Sequence, residues 1–289
     1  MTVEERIERV LKDAVRRTRR ASAPETLSEA ISYSVFPGGG RMRPRLCVAV
    51  AEACGGKEPK VCDAAAASLE LLHCASLVHD DLPCFDDAAI RRGKPSVHRA
   101  FSEPIAVLTG DAMIVLAFET LCEGAAHVPA RLPGLIRIVG RAVGAPAGII
   151  AGQAWESEPT INLSAYQRAK TGALFIAAVE AGAFSANSDP ESWTQVGEKL
   201  GEAYQVADDL HDAMSTGDEL GKPVGQDARH RRPNAVKELG VTDCISRLKG
   251  LLGEAISAVP PCTGRAELVL MIEQETRRFI PRRLAACAA

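Results

Sequence analysis

The stretch LVHDDLPCFDD, Leu77 to Asp87, places four aspartates and a histidine at the end of a run otherwise suited to a protein core. Upstream, Leu69, Leu72, His73 and Ser76 fall on neighbouring turns of one helical pattern, and alanine and leucine favour that state. A helix apolar on most faces belongs in the middle of a large bundle. Pro83 splits the acids into two pairs. Proline disturbs a helix, so the pair Asp86 and Asp87 is expected to swing back toward Asp80 and Asp81.

A second cluster lies in YQVADDLHD. Asp208 and Asp212 are four residues apart and share a helical face, with Asp209 about 100° round from Asp208. Like charges at that spacing cost roughly 0.2–0.5 kcal/mol even on an exposed helix, and burial raises the cost. A solvated helix face explains one such pair. It explains poorly two clusters that recur on apolar helices. Divalent cations would offset the repulsion, and all-oxygen donors suit magnesium, which also reaches phosphates readily.

Basic residues follow each cluster. Arg91, Arg92 and Lys94 follow the first, and Lys222, Arg229, Arg231 and Arg232 the second. Arg41, Arg43 and Arg45 stand beside a glycine run, and Lys170 lies in AKTGALF. Arginine forks fit phosphate oxygens and lysine supplies a point charge. Together these groups describe one or two diphosphate sites. The GxxxxGK[ST] loop of nucleotide-binding proteins does not occur. Apolar helices with only 4% aromatic residues leave room for a hydrocarbon tail between them.

The remaining composition agrees with one large all-α domain over residues 1–289. The chain is 46% apolar, with 34 basic and 37 acidic residues and a net charge of -3, and nothing demands nucleic acid. Nine cysteines without a CxxC pair make zinc a poor fit. Cys47, Cys54, Cys74, Cys84 and Cys122 read as small buried hydrophobes of a reducing, cytoplasmic compartment. The charged N-terminus is no signal peptide, and no run offers 18 uninterrupted apolar residues, so no membrane span is expected. Strand signals are weak. Helices are expected near 3–20, 26–36, 43–55, 61–79, 103–124, 131–155, 163–185, 191–215, 234–257 and 263–279.

The motifs HDDLPCFDDAAIRRGKPS, KTGALF and YQVADDLHD…LGKPVGQD, in this order, resemble those of the trans-type polyprenyl diphosphate synthases. Within them the chain looks most like the geranylgeranyl diphosphate synthases of phototrophic proteobacteria, which serve carotenoid and bacteriochlorophyll synthesis. The resemblance implies an isoprenoid-synthase helical bundle around a deep central cavity, usually a homodimer. It implies catalytic roles for Asp80, Asp81, Asp86, Lys170, Thr171, Asp208, Asp209 and Asp212. Asp80, Asp86 and Asp208 are the implied ligands of three magnesium ions, with manganese as an alternative. Arg91, Lys170, Gln205, Lys222 and Arg232 resemble the groups around the allylic diphosphate, and Arg43, His73 and Arg92 the isopentenyl diphosphate site. On residue type alone, His73 reads as a satisfied core histidine and His79 as a space filler. Trp155 and Tyr166 read as structural.

Two departures stand out. Gly40 occupies the place of a lysine that usually holds isopentenyl diphosphate, although the phototroph branch also tends to lack it. Arg41 is adjacent, but one residue along a helix turns its side chain by about 100°. Arg232 replaces a frequent lysine. Product length is expected to depend on Ala75 and Ser76. In farnesyl-producing members a bulky aromatic often stands five residues before the first aspartate, whereas Ala75 leaves room for a 20-carbon product. The alternatives are a farnesyl diphosphate synthase and a non-catalytic regulatory subunit. A terpene cyclase fits less well, because both aspartate motifs are complete.

Overall fold

The computed structural model describes residues 1–20, 22–36, 39–214 and 235–277. It is an all-α bundle with one two-stranded hairpin. The first helix, α1 (Val3–Arg17), starts at a reciprocal cap: the Glu5 N–H donates to Thr2 Oγ1 at 3.2 Å and the Thr2 N–H to Glu5 Oε2 at 2.8 Å. Its buried face is Ile7, Leu11, Ala14 and Val15. Then follow α2 (Glu25–Val35), α3 (Met42–Ala53) and the 22-residue α4 (Pro59–Asp80). Pro59 opens α4, where its missing N–H costs nothing.

Helix α4 is the axis of the bundle, in contact with α1, α2, α3 and the later helices α6 (Glu103–Ala125) and α10 (Ala173–Ser185). Its run Ala64–Ala67 is buried. Small residues let α6 approach closely. A Cβ on Gly124 would lie 2.1 Å from the Ala64 methyl, and one on Gly110 2.1 Å from His79 Nε2. Both α4 and α6 are long and apolar enough to cross a membrane, but 83% of the most apolar stretch of α4 is buried inside the bundle, against 44% for α6. The first is a core helix; the second keeps an exposed apolar face.

Beyond α4 the chain forms the hairpin of β1 (Ile90–Arg91) and β2 (Lys94–Pro95), then α5 (Val97–Ala100). The hairpin is a departure from the sequence expectation. Its turn residues Arg92 and Gly93 have φ of 53° and 76°, the paired positive φ of a two-residue turn built without Asn-Gly or Asp-Gly. After α6 comes α7 (Leu132–Val143) and the short α8 (Ile149–Ala154). A single helix over 131–155 was expected. Pro146 supplies no N–H for helical continuation, and it breaks the segment in two.

The segment 163–185 is continuous but not uniform: α9 (Leu163–Gln167) passes through a π-helical turn, Arg168–Gly172, into α10. Helix α11 (Thr194–Met214) packs on that turn, and a Cβ on Gly201 would meet Gly172 Cα at 2.7 Å. The described chain ends with α12 (Ala235–Leu239), α13 (Val241–Ser257) and α14 (Arg265–Arg277). Gly240, at φ 78°, separates α12 from α13. A second small core of Ala203, Val206, Ala207, Leu210, Cys244, Leu248 and Leu251 joins α11 to α13. All eight cysteines among the described residues are free. Cys84 and Cys122 are exposed rather than buried: one lies in the turn after Pro83, the other on the outward face of α6.

Candidate active site

The turn after α4 returns the second acid pair as the proline suggested. The Asp86 N–H donates to the Asp80 carbonyl at 3.0 Å, and the Asp87 N–H to that of Leu82 at 3.1 Å. The four acids do different work. Asp81 is buried and accepts from Arg91 Nε at 2.9 Å and Nη2 at 2.5 Å. Burial pushes its carboxyl up to about 6, although Arg91 opposes the shift. Asp87, at φ 46°, faces outward and accepts from Arg99 Nη2 at 2.8 Å, with His98 Nε2 at 3.5 Å. These two acids fasten the loop.

Asp80 remains directed into the site. Burial raises its carboxyl; Lys170 and Arg91 lower it, and the nearby carboxylates Asp86 and Glu156 raise it again. Lys170 Nζ lies 3.4 Å from Asp80 Oδ1 and donates a short hydrogen bond to Glu156 Oε1. Glu156 also accepts from the Tyr166 hydroxyl at 2.8 Å and from Gln153 Nε2 at 3.3 Å. The sequence had offered no reason to single out Glu156, and Tyr166 had read as structural. The available signal was the i, i+3 spacing of Gln153 and Glu156, too common to notice alone.

The π turn joins this cluster to the second one. Lys170 points to Asp80, while Thr171 Oγ1 donates to Gln205 Oε1 at 2.6 Å. Gln205 Nε2 donates to Asp209 Oδ1 at 3.0 Å, and Asp209 Oδ2 accepts the Ala235 N–H at 2.7 Å. Asp209 is buried and ties α11 to α12. Asp208 and Asp212 sit one turn apart on the same helix. A π turn is a rare insertion that recurs at functional sites. Here it sends adjacent side chains to two different acid clusters.

A basic cradle lies beside α4. Arg43 is buried, stacked at 4.7 Å from the Phe175 ring centroid and 5.3 Å from that of Tyr204. Its Nη1 is 3.4 Å from His73 Nε2. Burial lowers the His73 pKa well below the usual imidazole value, and Arg43, Arg92, Arg91 and Arg41 add to that, so the ring is neutral at pH 7. Cations gathered around a neutral imidazole form a site for an anion. Arg41 does not replace the absent lysine. Its guanidinium runs inward to Glu70 at 2.6 Å, Glu8 at 2.8 Å and the Val35 carbonyl at 2.9 Å. Ala75 is buried on α4, and the Ser76 hydroxyl donates to the His73 carbonyl at 2.8 Å. His79 turns to α6, with Nε2 3.1 Å from the Val107 carbonyl. Lys222, Arg229, Arg231 and Arg232 lie outside the described residues.

The donor set fits magnesium. Asp80 and Asp86 are close enough to raise one another's charge cost, and every donor is a carboxylate oxygen. Among the described residues no three His, Cys, Asp or Glu side chains converge into a complete metal cage. Such an ion would take its remaining ligands from water and substrate oxygens, as magnesium does.

Helical bundle, split acid clusters and basic cradle together define a trans-type prenyl synthase architecture. A family description, Polyprenyl synthetase, matches residues 24–262. The chain belongs to that family, and it is a prenyltransferase with the family's head-to-tail condensation chemistry. It is 54% identical over 286 residues to the geranylgeranyl diphosphate synthase of Cereibacter sphaeroides, covering 99% of each chain. Against the enzyme of that name from Rhodobacter capsulatus it is 50% identical over 273 residues, covering 94% of each. Among solved structures, a Helicobacter pylori geranyltransferase complexed with magnesium and isoprenyl diphosphate superposes with a TM-score of 0.82 at 28% identity, covering 96% of each chain.

Proposed function

We propose that this chain condenses isopentenyl diphosphate with allylic diphosphates up to farnesyl diphosphate, giving geranylgeranyl diphosphate and inorganic diphosphate. The observation that carries the reading is the π turn: Lys170 faces Asp80, and Thr171 is linked to Asp209 through Gln205, so one element serves both acid clusters.

In this reading the allylic diphosphate lies between Asp80 and Asp86 on one side and Asp208 on the other. Asp80, Asp86 and Asp208 would hold magnesium there, three ions by family resemblance, and the bound metal would supply charge neutralisation to the departing diphosphate. Lys170 and Arg91 draw on the same developing charge. Arg43, Arg92 and neutral His73 hold the isopentenyl diphosphate, whose double bond attacks the allylic cation. A proton then passes to the released diphosphate. Lys170 and Thr171 lie beside the cation, and apolar walls keep water from quenching it. The purified protein should release diphosphate only with magnesium, dimethylallyl diphosphate and isopentenyl diphosphate all present, and the extracted product should have 20 carbons. A 15-carbon end product would mean a farnesyl synthase. Release without isopentenyl diphosphate would mean a cyclase, and none at all a regulatory subunit.

The setting follows from the same reading: a cytoplasmic enzyme supplying carotenoid and bacteriochlorophyll synthesis, acting as a homodimer. The outward face of α6, with Leu108 50% and Val115 59% exposed, suits cover by a second copy. Sedimentation at micromolar concentration should give twice the chain mass.

Position 40 offers a gain of function. Among the described residues a Cβ on Gly40 meets nothing within 4 Å, so a side chain can leave the backbone there without a clash at its first atom. Gly40→Lys should lower the KM for isopentenyl diphosphate about tenfold, the scale of one added charge-assisted hydrogen bond, with kcat little changed. Steady-state kinetics varying isopentenyl diphosphate decide this.

A further inference from the structure

We infer that Glu156 is a positioning residue that shares the Lys170 ammonium with Asp80, keeping Asp80 available to a divalent cation. The inference rests on the prenyl-transfer reading above and assigns a role to a residue outside its aspartate motifs.

Lysine has a long flexible stem and a compact charge. Left beside one buried carboxylate, it would close on that carboxylate as an ion pair and occupy the oxygens a metal needs. Lys170 holds Asp80 only by a long hydrogen bond, Nζ 3.4 Å from Oδ1, and makes its closer contact with Glu156. Among the described residues, Glu156 accepts from donors on separate elements: the Tyr166 hydroxyl from α9, Lys170 from the π turn, and Gln153 Nε2 from α8. Backbone packing fixes the distance between those elements. A Cβ on Gly152 of α8 would lie 2.5 Å from both the N and Cα of Lys170, so α8 and the π turn touch main chain to main chain. Both carboxylates are mostly buried, with 16% and 18% of their side chains exposed, so the sharing is not washed out by solvent.

Without the charge of Glu156, the ammonium has Asp80 as its one near anion among the described residues. Two consequences act in the same direction: Lys170 competes with the metal for Asp80, and the site loses one negative charge. More magnesium is then needed to fill it, while the machinery remains intact once it is filled.

The test compares the full chain with Glu156→Gln, Glu156→Asp and Tyr166→Phe. The first readout is the magnesium concentration for half-maximal condensation. The second is the rise in Tm produced by magnesium plus inorganic diphosphate, which requires no turnover. Glu156→Gln should need about tenfold more magnesium, lose most of the thermal shift, and regain most of its kcat at saturating magnesium. Glu156→Asp should recover both readouts to within about threefold, and Tyr166→Phe should fall between the parent and Glu156→Gln. A Glu156→Gln protein with the parental magnesium requirement and thermal shift overturns the inference, as does a kcat that stays low at every magnesium concentration. Should Glu156→Gln not fold, parental behaviour of both other variants overturns it equally. A parent that binds magnesium and diphosphate but does not condense would refute the prenyl-transfer reading alone, and the thermal shifts would still decide the role of Glu156.

Discussion

Asp80→Asn is expected to lower kcat/KM for the allylic substrate on the order of 10³-fold, at the upper end of losing one preorganised charge-stabilising group. The substitution keeps the size of the side chain and removes its charge. Lys170 and Arg91, 3.4 and 3.9 Å from its oxygens, lose an anionic partner, and in the proposed reading the first cluster loses a metal donor. Stability should move the other way. Burial, Asp86 and Glu156 together raise the Asp80 pKa above its ordinary value despite Lys170. A carboxyl with a higher pKa folded than unfolded loses stability as pH rises from its unfolded toward its folded value. Asparagine cannot ionise and avoids that loss. In chelator at pH 7 the variant should therefore melt at or above the parental Tm, while remaining nearly inactive with magnesium. A lower Tm, or activity within tenfold of the parent, would contradict this account of the site. The same opposition is expected wherever like charges are assembled for a ligand that is not part of the chain.

How much of this was legible in the sequence varied with the range of the physics involved. Helix α4 was readable because an apolar run ending in acids and proline is a local pattern. The return of Asp86 toward Asp80 followed from Pro83 alone. The split at Pro146 was equally local: a proline inside the stretch expected as one helix over 131–155 supplies no N–H for its continuation. The hairpin at Arg92 and Gly93 was hidden because arginine rarely adopts positive φ; only the packing around it makes that conformation affordable. Site residues divided in the same way. Spacing placed Asp208 and Asp212 on one face, but could not show that Asp81 and Asp87 are committed to Arg91 and Arg99. Those pairings depend on where the hairpin and α5 return in space. Glu156 was invisible for the same reason: its partners Tyr166 and Lys170 come from a helix and a π turn whose meeting with α8 depends on Gly152. Arg41 shows the converse, a basic residue inside a recognisable motif whose charge is spent on Glu70 and Glu8.

Ala75→Phe is expected to move the main product from 20 to 15 carbons. Ala75 is 1% exposed on the axial helix, one turn before His79, where α6 approaches so closely that Gly110 has no room for a Cβ beside that ring. A helix pair this tight cannot separate cheaply to admit a larger side chain. The phenyl ring adds six carbons, about the bulk of one isoprene unit. In the proposed reading this volume comes from the end of the pocket, where the final five-carbon unit would lie. Burying five carbons contributes about 4 kcal/mol at roughly 0.8 kcal/mol each, so losing that space strongly disfavours elongation of farnesyl diphosphate. The rate of the first condensation should change little, because the ring is a turn and more from Asp80. Overpacking should cost about 1–3 kcal/mol of stability. Ser76→Phe, rotated by about 100° and only half-buried, serves as the control and should shorten the product less. Chromatography of the dephosphorylated alcohols resolves the two chain lengths, and an unchanged 20-carbon product from a folded Ala75→Phe protein would show that the tail does not pass this residue.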